Sequence, residues 1–138
     1  MVAGKTVNFA NRNWDLSQLS QQIVNLLNND RWMTQKAETS KGTLIQARKE
    51  DVLRDIFLAD RALTILVAGK PNDFTIRIGF GKWAQNLTVA TVETALTGGL
   101  WLIIEVPEAI WNRHIENEVV SKINQLVESK PAMAVPAQ

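Results

Sequence analysis

Apolar residues recur along this chain with two different periods, and the switches between them mark its elements. Leu16, Leu19, Ile23, Leu26 and Leu27 return at helical spacing and predict a first helix with one buried face. Asp15 or Ser17 can cap it by offering a side-chain oxygen to free backbone N–H groups, and Asn28-Asn29-Asp30 favours a turn after it. Residues 31–39 and 43–49 then read as two strands around the turn Ser40-Lys41-Gly42. A second hairpin is the clearest unit in the chain. Its first strand, Leu63-Thr64-Ile65-Leu66-Val67, leads through residues 68–73 into a strand in which Phe74, Ile76, Ile78 and Phe80 alternate with Thr75, Arg77 and Gly79. That period of two puts one face in the core and leaves the other solvated. Pro71 presets the turn backbone, and Asn72-Asp73 supplies side chains that stabilise it.

The helical period reappears in residues 50–60, one or two turns bridging the hairpins, and again in residues 82–97, where Val89, Val92, Leu96 and Leu100 share a side. Gly98-Gly99 should stop or bend that helix. Residues 100–106 are an apolar run that fits strand or helix equally. Pro107 suits a first helical position, and Ile110, Trp111, Ile115, Val119, Ile123 and Leu126 predict a long amphipathic helix ending near Lys130. Residues 1–13 read as an irregular lead-in, compatible with a short strand near Thr6–Phe9, and residues 131–138 as a disordered tail. The expected fold is therefore one α+β domain over residues 14–130. Two consecutive hairpins form a four-stranded antiparallel sheet, packed against an N-terminal helix and C-terminal helices.

Composition narrows the chemistry. With 138 residues and 46% hydrophobic content the chain can bury a real core, and a net charge of +1 gives no global field to draw in nucleic acid or anionic lipid. Absence of cysteine rules out disulfides, thiolate nucleophiles and cysteine metal ligands, and fits a cytoplasmic protein. Met1-Val2-Ala3-Gly4-Lys5 lacks the basic-then-apolar order of a secretory signal. His114 stands alone, whereas zinc sites and catalytic dyads need more nitrogen or sulfur than one imidazole gives, so it reads as a surface histidine. Tyrosine is absent and the carboxylates are scattered, so neither an enzyme nor a cofactor is expected. Gly79-Phe80-Gly81-Lys82 has the strand-to-helix context of a phosphate-binding turn but the spacing of no known phosphate loop. It reads as a sharp backbone turn.

Binding is the function class left standing. The apolar stretch from Leu87 to Val106 approaches the roughly 20 residues a bilayer span needs, but Glu93, four threonines and Gly98-Gly99 interrupt it. Core packing, self-association, a protein partner or a peripheral membrane surface are the alternatives. The leading expectation is a non-enzymatic interaction module that self-associates or docks a partner through residues 87–106. A small-ligand pocket lined by aromatic residues between sheet and C-terminal helix is the runner-up. Nucleic acid is disfavoured: Lys36, Arg48, Lys49 and Arg77, with Trp32 and Trp83 as stacking surfaces, are interleaved with Glu38, Glu50, Asp51 and Asp73. Any polar site should lie where the hairpins meet, around Arg48, Asp60, Arg61, Arg77, Lys82 and Trp83.

Four phrases, Ile45-Gln46-Ala47-Arg48-Lys49, Ala59-Asp60-Arg61-Ala62-Leu63-Thr64, Pro71-Asn72-Asp73-Phe74-Thr75 and Gly79-Phe80-Gly81-Lys82-Trp83, resemble a small bacterial α+β domain family of unassigned function. The resemblance spans residues 14–127 and implies an α+β module. Some members of that family carry a zinc-ribbon, which this cysteine-free chain lacks, and the resemblance implies no catalytic residue.

Overall fold

The computed structural model describes residues 4–55, 61–97 and 106–129. In chain order these form β1 (Gly4–Ala10), α1 (Leu16–Asn29), β2 (Met33–Thr39), β3 (Gly42–Arg48), α2 (Glu50–Asp55), β4 (Arg61–Lys70), β5 (Asp73–Lys82), α3 (Val89–Leu96), α4 (Glu108–Trp111), a π-helical segment (Asn112–Val120) and α5 (Ser121–Glu128). The strands make one antiparallel sheet in the order β1-β5-β4-β3-β2.

Both expected hairpins are present, and the sheet has five strands instead of four. The extra one is β1, from the segment read as an irregular lead-in compatible with a short strand near Thr6–Phe9; it is longer than that and joins the sheet. It pairs with β5 from Gly4↔Gly79 to Ala10↔Asp73. Only Val7 and Phe9 point to the core, too short an alternation to stand out among polar neighbours. Phe9 nonetheless stacks on Phe74, its register partner, at 5.4 Å between ring centres. Just beyond β1, Asn11 and Asn13 take left-handed backbone angles that asparagine tolerates. From there the Asn11 and Trp14 N–H groups donate to the carbonyls of Asn72 and Pro71, tying the lead-in to the β4–β5 turn.

Each sheet face carries its own apolar layer. The first is built from Ile45, Leu63, Ile65, Phe74, Ile76, Ile78 and Phe80, covered by α1 and by the C-terminal helix. In α1, Asp15 accepts from the Ser17 and Gln18 N–H groups, and Leu19, Ile23, Val24 and Leu27 are buried. The C-terminal helix lays Trp111, Ile115, Val119, Ile123 and Val127 on the sheet, one residue in four. Expected Leu126 is only half-buried, and Val120 and Val127 take core positions, because the π segment widens the helix and advances the buried row. Each fully buried aliphatic side chain of this layer contributes about 2 kcal/mol.

The second face, expected to be solvated, is partly covered by α3. Val92 and Ala95 pack on Leu44 and Leu66. The helix starts later than expected, at Val89 behind a Thr88–Thr91 capping box, and Val89 itself is 57% exposed. Of the helix expected over residues 50–60, Glu50–Asp55 is present. Residues 56–60, the run 100–105 and the tail 131–138 lie outside the described residues.

Candidate binding site

One end of the sheet gathers the last residues of β3 and β5 and the first of β4. Arg61 opens β4 and is the register partner of Lys82, which closes β5. Continuing the β3–β4 register two pairs past Ala47↔Leu63, one residue beyond the end of β3, brings Lys49 toward Arg61. Period two puts all three side chains on the same face, so the paired Arg61 and Lys82, with Lys49 just past the end of β3, form a basic rung at this end of the sheet. Neighbouring side chains in such a rung stand about 5 Å apart at Cβ, and like charges opposite one another are destabilising. Lys49 is relieved by Asp30 at 3.5 Å and lies over the Trp32 ring at 5.8 Å. Arg61 and Lys82 make no ion pair among the described residues.

On the other face of the same end, Arg48 lies over the ring of half-buried Trp83 at 5.4 Å. A cation held over an indole face gains roughly 0.5–1 kcal/mol at a partly exposed site. Gln46, fully buried, holds this segment in place. Its Nε2 donates to the Lys82 carbonyl (2.8 Å) and the Thr64 hydroxyl (3.2 Å), and its Oε1 accepts from the Ala84 N–H (2.9 Å) and from Gln35 Nε2 (3.1 Å). Gln35 Nε2 also donates to the Ala84 carbonyl. All four hydrogen-bonding positions of one buried amide are therefore used, and two of its bonds, to the Lys82 carbonyl and the Ala84 N–H, fix where residues 82–84 leave the sheet.

Of the residues read from sequence, Arg48, Arg61, Lys82 and Trp83 come together at this end. Arg77 does not. It sits opposite Leu66 and Thr6, five residues back along β5, roughly 16 Å from Lys82 at strand rise. Desolvation lowers its guanidinium pKa from the ordinary value, though an arginine keeps its charge at neutral pH. Asp60 lies outside the described residues. Lys49 is named from sequence only among the cations weighed for nucleic acid, and Gln46 is not named as a site residue at all. The signal for Gln46 was an amide in an otherwise apolar strand, Leu44-Ile45-Gln46-Ala47, where burial demands partners.

Other expected chemistry is placed elsewhere. Gly79 and Gly81 lie inside β5, so that sequence is continuous strand, neither the sharp backbone turn expected nor a phosphate turn. Trp32 is buried, with no partner for its Nε1 among the described residues, and the Trp83 face is taken by Arg48, so neither indole offers an open stacking platform. His114 is half-buried in the π segment, and no cluster of metal-ligating side chains occurs among the described residues. Between sheet and C-terminal helix, where an aromatic pocket was considered, Phe74, Phe80 and Trp111 are all buried, with Phe80 edge-on to Trp111 at 6.2 Å. No helix of the described residues is long and apolar enough to cross a membrane.

Comparison with known proteins found no matching family model, curated protein or solved structure, so the resemblance of the four sequence phrases lends this chain no function.

Proposed function

We propose that this chain is a non-enzymatic binding module that docks an acidic segment of a partner protein on the basic end of its sheet. The observation that carries this reading is the rung of Lys49, Arg61 and Lys82, in which two cations face each other without a carboxylate partner among the described residues. A partner carboxylate placed between Arg61 and Lys82 converts a repulsive cross-strand pair into two attractive contacts. The guanidinium adds a bidentate geometry that a lysine pair lacks. Trp83, half-buried on the opposite face under Arg48, adds no contact to this rung and holds the end of β5 in place.

Of residues 87–106, expected to dock the partner, 98–105 lie outside the described residues. The part in α3 is spent covering the sheet, and Val89 is its only large apolar side chain among the described residues that stays exposed. The test is the affinity of a glutamate-rich peptide for the chain and for the charge-reversed double variant Arg61→Glu/Lys82→Glu. The unaltered chain binds with an affinity that falls as salt rises. The double variant, with unchanged circular dichroism, loses at least about tenfold, or 1.4 kcal/mol. Equal binding by both proteins would remove this site.

A further inference from the structure

We infer that β2 is a self-complementary edge through which two copies of this chain pair into a ten-stranded sheet. Among the described residues β2 ends the strand order, and its residues are half-buried or exposed throughout. Helices α1 and α3 touch it from its two faces, which leaves the hydrogen-bonding side in the plane of the sheet. Met33, at its start, is 63% exposed.

The register of that pairing follows from the hairpin. Thr39 and Gly42 flank a two-residue turn and therefore exchange both backbone hydrogen bonds. By alternation Ala37, Gln35 and Met33 also spend theirs on β3, so Thr34, Lys36 and Glu38 direct their N–H and C=O groups outward. A second β2 running antiparallel must match outward residues with outward residues. Centring on Lys36 sets lysine against lysine, and centring on Glu38 sets glutamate against glutamate. Centring on Ala37 places Lys36 opposite the partner's Glu38 and Glu38 opposite the partner's Lys36. In the single chain the same two side chains already approach each other at 3.7 Å, so both lie on one face and are available together. A lysine on an edge strand commonly guards against pairing. Here a counter-charge two residues on turns that guard into a register selector.

The interface is small, a few backbone bonds and two ion pairs, so the dimer is weak and concentration-dependent. It does not involve the basic end of the sheet and stands whether or not that end binds an acidic segment. Light scattering on the full chain at high micromolar concentration tests it. The unaltered chain shifts toward dimer mass as concentration rises. Glu38→Lys alone and Lys36→Glu alone stay monomeric, and an equimolar mixture of the two restores the dimer, because each variant now carries only one sign. As a second readout, Ala37→Cys in this cysteine-free chain cross-links on oxidation, since residues paired across the centre lie about 4.5 Å apart at Cα. Thr6→Cys on the opposite edge strand does not. A chain that remains monomeric throughout, or a dimer indifferent to both reversals and to their mixing, would overturn the inference.

Discussion

Replacing Gln46 with leucine probes the joint between fold and site. Leucine nearly matches glutamine in size, so the change removes four hydrogen bonds without opening a large cavity. At about 1 kcal/mol net for each bond, the loss reaches about 4 kcal/mol. Burial of a leucine returns about 1 kcal/mol of it, because the amide it replaces was already fully buried. The net expectation is 2–4 kcal/mol, on the principle that buried groups left unpaired cost about 1–3 kcal/mol each. Urea denaturation followed by circular dichroism measures it, with an unchanged slope showing that the folded and unfolded states are otherwise the same. Because Lys82 and Ala84 are released from the sheet, Trp83 emission should also shift to the red. A companion change, Gln46→Glu, adds a pH signature. Burial raises the introduced carboxyl's pKa in the folded state above its unfolded value of about 4.3. Relative to the unaltered chain, its deficit is therefore smallest below that pH and grows as pH rises toward the folded-state value. A loss below about 1 kcal/mol for Gln46→Leu, with Trp83 emission unmoved, would refute the argument that this amide clamps residues 82–84.

Further expectations can be checked by the same denaturation assay. Gly69 has φ +128°, and a Cβ there would meet the Asp73 carbonyl oxygen at 2.5 Å, so Gly69→Ala should cost at least about 2 kcal/mol. Arg31 sits just past the α1 cap at φ 69°, a conformation that favours glycine, and Arg31→Gly should stabilise by roughly 0.5–1 kcal/mol. Burial pushes the Glu116 carboxyl up, but hydrogen bonds from Lys5 and Trp111 and the Lys5 charge outweigh it and hold its pKa below the ordinary value. Its stabilisation is therefore present above the ordinary carboxylate range and lost as pH falls through the lowered value. Glu116→Gln should flatten that part of the acid limb of stability against pH. Trp14 Nε1 donates to the Val127 carbonyl whereas buried Trp32 Nε1 has no acceptor among the described residues, so Trp14→Phe should cost about 1 kcal/mol more than Trp32→Phe.

Much of the fold is legible in the sequence because local pattern and burial agree there. Helix α1 and both hairpins follow directly from period and turn chemistry, since each buries a single face against its neighbour. The readings that failed depended on contacts distant in sequence. The place of β1 in the sheet depends on its partner β5, more than sixty residues away, and α3 covers a sheet face expected to be open. The C-terminal helix was found, but its π segment moves the buried row by one residue, and a 3.6-residue period has no means to anticipate that. At the candidate site, the charged and aromatic residues could be named from the hairpin ends. Their grouping depends on register: Arg61 faces Lys82, and Arg77, equally basic, falls several rungs away. Gln46 was hidden for the same reason, because its four partners come from three other parts of the chain.

The most direct test of the binding reading is a backbone amide NMR titration of the isotope-labelled full chain with a glutamate-rich peptide. The amides of Lys49, Arg61, Lys82 and Trp83 should shift first and saturate together, while those of Thr6 to Asn8 on the far edge strand stay still. Absence of shifts at Arg61 and Lys82, or shifts scattered evenly over every exposed lysine and arginine, would contradict an acidic docking site at this end of the sheet.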